Sequence, residues 1–131
     1  MRDHQDRYSV HGHVLRYDTQ APFHSAAAWT AYDAGYTDGL RTVGFYGGAF
    51  DGRYVYFNPR DDGHSHHTRL LRYDTHGDFK DPDSWAAHDA EFPHSGQGLA
   101  FDGRHLYFCP GYTTAPNVDR ANPSASLDNE P

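Results

Sequence analysis

The chain of 131 residues has one cysteine, Cys109, which excludes an intrachain disulfide framework. Positive charge is scarce as well. Lys and Arg total 11 against 18 Asp and Glu, for a formal net charge of −7, and the arginines are scattered through the sequence rather than lined up. No basic stripe exists to follow a phosphate backbone, so nucleic acid is not an expected partner. No apolar run approaches the length of a membrane-spanning helix, and Met1-Arg2-Asp3-His4-Gln5-Asp6-Arg7 contains no apolar leader segment. The expectation is no membrane partner and a cytoplasmic location as the chain stands, with secretion open if a leader was removed. Helix-forming residues do not accumulate at helical spacing; Ser25 to Trp29 suggests one short turn. Also missing are a Ser-His-Asp order, a phosphate-binding glycine loop, an HExxH word and a paired CxxC.

What the chain does have is aromatic residues and histidine. Phe, Trp and Tyr make up 15% of it, ten of them Tyr, while hydrophobic residues reach only 37%. That balance suits many short strands better than a thick helical core, so the fold class is all-β. Eleven His are neutral in the charge given above, and protonating all of them would carry the net charge past zero.

Two words recur. Ala49-Phe50-Asp51-Gly52-Arg53-Tyr54-Val55-Tyr56-Phe57-Asn58-Pro59 returns as Ala100-Phe101-Asp102-Gly103-Arg104-His105-Leu106-Tyr107-Phe108-Cys109-Pro110. Leu15-Arg16-Tyr17-Asp18-Thr19 returns as Leu71-Arg72-Tyr73-Asp74-Thr75, at the same spacing that separates Trp29 from Trp85 and Phe23 from Phe79. The first word recurs at a slightly shorter spacing, which places a difference of a few residues in the connection from Asp33 to Gly47 as against Asp89 to Gly98. Repeats of this length mean propeller blades or solenoid units. Within each unit the Gly-rich segment and the Tyr-rich segment read as strands joined by an Asp-Gly turn. The Leu-Arg-Tyr-Asp-Thr word gives a third strand and the Trp-containing word a fourth. The first third of the chain then supplies a third and fourth strand, the middle a complete set, and Gln97 to Cys109 a first and second.

These words resemble a β-propeller blade of the broad type that includes the NHL and YVTN-like repeats, over Val14 to Pro110. The resemblance implies four antiparallel strands per blade, about two blades per chain, and a ring closed by homo-oligomerisation, because the half-blades at the two ends are complementary. A six-bladed trimer is the preferred closure and an eight-bladed tetramer the alternative; a fragment of a longer propeller is the competing account of the same pattern. The propeller unit is assigned to residues 1–112, and residues 113–131, rich in Pro and without periodicity, read as a disordered or surface-draped tail. Small two-bladed lectins that assemble into rings are similar in architecture, which implies a glycan or other small polar ligand. Their sugar-binding signature is not matched residue by residue.

Arg16, Asp18, Asp51 and Arg53, which recur as Arg72, Asp74, Asp102 and Arg104, read first as blade structure: turn formers, and Arg-carboxylate links between neighbouring strands or blades. Residues that break the match are mostly histidines. Tyr8 becomes His64, Val10 becomes His66, Tyr32 becomes His88 and Tyr54 becomes His105. His64, His66 and His67 form a short cluster whose alternate spacing suits a divalent-metal clip (Zn, Cu, Ni or Fe), or a solvated loop; His11 and His13 have the same spacing. In a propeller the loops between second and third strands and between blades emerge on one face. That gathers Tyr36, Arg41, Tyr46, Asp61, Asp62, Glu91 and His94 as candidate ligand contacts, with His94 also a candidate metal ligand at a ring axis. The primary expectation is a ligand-binding module. The rival is a metal-dependent enzyme with these imidazoles as ligands and Asp61, Asp62 or Glu91 as general base.

Overall fold

The computed structural model describes residues 9–113. All of the regular structure is antiparallel β apart from two single 3-10 turns, Ala26–Ala28 and Pro82–Ser84. β1 (His13–Tyr17) pairs with β2 (Trp29–Asp33) in a two-stranded sheet, and β3 (Tyr36–Thr37) with β4 (Leu40–Arg41) in a small hairpin. A four-stranded sheet follows in simple order, β5 (Phe45–Phe50), β6 (Tyr54–Pro59), β7 (Arg69–Asp74) and β8 (Trp85–Asp89). β9 (His94–Phe101) and β10 (Leu106–Thr113) make a last two-stranded sheet. The strand pairs read from the repeated words are those observed, and β10 runs one residue beyond the expected end of the strand-bearing region. The rest of the expected tail, like the Met1 to Arg7 segment, lies outside the described residues.

Two details differ from the sequence reading. The Asp51-Gly52 pair is not the centre of the first turn: Gly52 and Arg53 are, with the Asp51 N–H donating to the Tyr54 carbonyl at 3.1 Å, positive φ only at Gly52, and the Asp51 carboxylate capping the turn by accepting the N–H groups of Arg53 and Tyr54 at 2.9 and 2.7 Å. The hairpin with positive φ at both central residues lies instead in the connection between Asp33 and Gly47. Thr37 faces Leu40 across Asp38 (φ 54°) and Gly39 (φ 78°), the positive pair that a two-residue turn requires. This hairpin lies in the connection whose length breaks the repeat. It docks on β8 through a 2.9 Å hydrogen bond from the Ala87 N–H to the Asp38 carboxylate, and its base is closed by the buried Thr37 and Thr42 hydroxyls, which both donate to the Ala34 carbonyl.

The core lies between the β1–β2 sheet and the β5–β8 sheet. Leu71, Tyr73, Phe79 and Trp85 are buried there with Ala34, and Val14, Tyr32, Phe45, Val55 and Phe57 pack around them. Tyr73, Phe79 and Trp85 form a compact aromatic unit: ring centroids are 5.4 Å (Tyr73–Phe79), 4.8 Å (Tyr73–Trp85) and 5.5 Å (Phe79–Trp85) apart. The polar atoms of that unit are satisfied locally, the Tyr73 hydroxyl on the Gly77 carbonyl at 2.7 Å and the Trp85 indole N–H on the Phe79 carbonyl at 2.9 Å. Tyr32 of β2 stacks on Trp85 at 4.9 Å and the Arg16 guanidinium lies 4.3 Å over Phe79, so the first sheet is the lid of the second.

The same unit occurs a second time with no described sheet over it. Tyr17, Phe23 and Trp29 reproduce it, with centroid separations of 5.4, 4.6 and 5.5 Å and the same two hydrogen bonds, Tyr17 hydroxyl to Ala21 carbonyl and Trp29 indole to Phe23 carbonyl. Leu71 and Phe79 are 0% and 4% exposed, whereas their counterparts Leu15 and Phe23 are 64% and 61% exposed. Identical local geometry with opposite burial means that the local sequence builds the unit and only a neighbouring sheet covers it.

Candidate functional site

The β6–β7 loop, the β2–β5 connection and the β8–β9 connection meet at one end of the sheets. Asp62 anchors the first of these, accepting the His64 and Ser65 N–H groups at 2.9 and 3.0 Å and the Arg69 guanidinium at 2.9 Å. Burial works against its charge, but the two amides and the Arg69 cation outweigh it and hold the Asp62 carboxyl well below the usual carboxylate range. Arg69 also donates through Nε to the Arg41 carbonyl at 2.6 Å, which ties the β3–β4 hairpin to the same loop. Thr68 donates to Asp89 at 3.0 Å and accepts the Phe92 N–H. The result is an open cleft of about 370 Å³ on this end, with His66, Arg69, Asp89 and Glu91 among its walls.

The three neighbouring histidines go three ways. His64 is exposed in the turn. His66 donates from Nδ1 to the Arg60 carbonyl at 3.1 Å, and its ring lies flat on Tyr112 at 4.5 Å and 6°. His67 is 4% exposed, with Nε2–H donating to the Val43 carbonyl at 2.8 Å and Nδ1 accepting the Arg69 N–H at 3.1 Å. Both of its ring nitrogens are therefore committed to backbone, and burial pushes the imidazole pKa down. His11 has the same Nδ1 role, accepting the His13 N–H at 3.0 Å, but its ring is exposed. His94 opens β9 and faces Phe92 at 5.3 Å. Among the described residues no group of three or more His, Cys, Asp or Glu is arranged to hold a metal ion.

Of the candidate ligand contacts, Asp62 and Arg41 meet through Arg69, and Glu91 shares the cleft with His66. Asp61 forms an isolated bridge with His66. Tyr36 stands apart, 75% exposed beside His11 and His13 in a separate depression. Tyr46 is half exposed on the sheet face, where the Arg60 guanidinium lies between it and Tyr112, 4.6 and 5.4 Å from the ring centroids. The sequence reading missed Arg60, Arg69 and Asp89; the departures from the repeat drew attention to histidines, whereas these groups became visible only through their partners.

Away from the loops, two grooves flank the four-stranded sheet. One, of about 910 Å³, runs between β10 and the outer part of the sheet, with Leu70, His88, Leu106 and Phe108 in its walls. The other, of about 490 Å³, lies along the free edge of β1, between Val14, Leu15, Phe45 and Phe57. No helix among the described residues is long and apolar enough to cross a membrane. Comparison with protein-family models, with curated proteins and with solved structures found no match to this chain.

Proposed function

We propose that the chain is a ligand-binding subunit of the β-propeller type, whose ring is completed by further copies and whose loop end binds a small polar ligand, with a glycan the preferred class. The observation that carries this reading is the order of sheets: half a unit, a whole unit and the complementary half, with one aromatic unit covered and its twin bare. Loops on a stacked, rigid scaffold are where binding groups collect. The cleft beside Arg69 offers a cation, two carboxylates (Asp89, Glu91) and the His66 imidazole, donors and acceptors of the kind that hydroxyl-rich ligands use. Six blades from three copies is the closure proposed. The metal-dependent alternative draws no support from the described side chains, since His67 is occupied and no ligand cluster forms.

The test is a glycan array followed by titration calorimetry on the strongest hit. Glu91→Gln and Glu91→Ala, at an exposed position of the cleft wall, are expected to weaken binding at least tenfold without changing the melting temperature. A protein that binds nothing on the array, or variants that bind as the parent does, overturns the assignment of the ligand to this end.

A further inference from the structure

We propose that the 910 Å³ groove beside β10 is the seat of β1 and β2 from a second copy, in the register that β6 and β7 already display, sealed by an ion pair between Arg104 and Asp18 of that copy. The proposal rests on the propeller reading above and specifies its junction. The protein contains its own template. Within the four-stranded sheet, β6 meets β7 with Tyr54 opposite Asp74, Val55 opposite Tyr73, Tyr56 opposite Arg72 and Phe57 opposite Leu71. Arg53 clamps Asp74 through two bonds, Nε at 3.0 Å and a terminal nitrogen at 2.8 Å. β10 repeats β6 up to this point, including the turn: Asp102 accepts the Arg104 and His105 N–H groups at 2.8 and 2.7 Å and the Tyr107 hydroxyl at 2.7 Å, as Asp51 does with Arg53, Tyr54 and Tyr56. Among the described residues β10 nevertheless has β9 on one side and no strand on the other. β1 repeats β7, Asp18 accepting the Gln20 N–H at 2.9 Å as Asp74 accepts that of His76, and β1 too has one edge that no described strand pairs. Each such edge is what the other one lacks.

The faces match as the edges do. Val14, Arg16 and Tyr32 cover the buried aromatic unit by packing against it, the guanidinium over Phe79 and the ring on Trp85. At the same positions of the next sheet stand Leu70, Arg72 and His88, and Leu70 and His88 line the groove. They are placed to cover Phe23 and Trp29 of the incoming hairpin, the bare twin of the unit that Arg16 and Tyr32 cover. The second groove, along β1, is the reverse side of the same junction: it lies where β9 and β10 of another copy stand beside Phe45 and Phe57. One contact thereby fills both grooves and buries Leu15, Phe23, Tyr107 and Phe108, four of the large side chains now exposed.

The experiment is sedimentation velocity on the full chain, its Asp18→Arg and Arg104→Asp variants, and the double variant in which the charges are exchanged. The parent is expected to sediment as an oligomer, each single variant as a folded monomer by near-ultraviolet circular dichroism, and the double variant as an oligomer again. Leu15→Glu, which changes a side chain already in water, is expected to give a folded monomer without touching either turn. A monomeric parent overturns both this junction and the propeller reading. An oligomeric parent whose size is unchanged in Asp18→Arg, Arg104→Asp and Leu15→Glu overturns the junction and leaves assembly by another surface.

Discussion

His67 shows how a residue that looks like a ligand in the sequence serves the scaffold instead. Its two ring nitrogens join β7 to the Val43 carbonyl in a single tautomer. Burial lowers its pKa and the Arg69 cation acts in the same direction; the hydrogen bond to the Val43 carbonyl, then Asp62 and Asp61, act against them without overcoming burial. The unfolded imidazole titrates near ~6.5, above the folded value, so the unfolded chain takes up the proton first. The stability that the neutral ring contributes is complete above about pH 6.5 and is lost as pH falls from there through the folded value. Thermal unfolding between pH 8 and 5 should show a melting temperature that falls toward acid, and His67→Gln should be less stable at pH 8 but have a visibly flatter slope. Equal slopes would remove His67 from the account. Reading such residues from sequence fails for a simple reason: the partners of His67 are backbone groups, which leave no mark in residue identity.

At the scale of strands, the repeat was legible because the same side chains solve the same local problem twice. The aromatic unit, the Asp-capped turn and the Arg53–Asp74 clamp use contacts along one hairpin or between adjacent strands, so a recurring word brings with it the residues for each of them. Arg53 is the main reason that the Asp74 carboxyl is held down to about 2, with the His76 N–H helping. This clamp stabilises the fold above the ordinary carboxylate value near ~3.9 and is lost as pH falls through the folded value. Asp74→Asn should therefore melt below the parent at pH 7 and converge with it as the pH approaches 2. The β3–β4 hairpin escaped the reading because it occurs once. Its Asp38-Gly39 turn is the same dipeptide as Asp51-Gly52 and Asp102-Gly103, but its strands are too short to show alternation. Gly44, just beyond it, is fixed by packing: φ is 73°, and a Cβ there would stand 1.6 Å from the Asp61 carbonyl oxygen. Gly44→Ala should consequently lower expression or melting temperature more than the same change at Gly47, where a Cβ meets nothing within 4 Å and only the positive φ opposes it.

Across the whole molecule, the matched pair Leu71 and Leu15 separates folding from the proposed assembly. Leu71 is fully buried within one chain, and truncation of such a leucine costs about 2–5 kcal/mol. Leu71→Ala should lower the unfolding free energy by an amount in that range, measured by urea titration. Leu15→Ala should leave the isolated chain almost unchanged at low concentration and instead shift the monomer–oligomer equilibrium toward monomer, read by sedimentation across a dilution series. If both variants lose the same unfolding free energy in dilute monomer, Leu15 is already covered and the bare-twin account is wrong. The candidate site also belongs to this scale, since the walls of its cleft come from β7, β8 and the connections around them.

Legible in residue order alone were the all-β class, the strand pairings and the matched Phe and Trp positions, because each follows from contacts between residues close in the chain or joined by a turn. Tertiary structure alone decided which copy of the aromatic unit is buried, where the loop cleft opens and which histidines are committed, because those depend on what lies opposite a face. Two faces with the same residues differ only in whether a second sheet reaches them, and that is a property of the packed molecule.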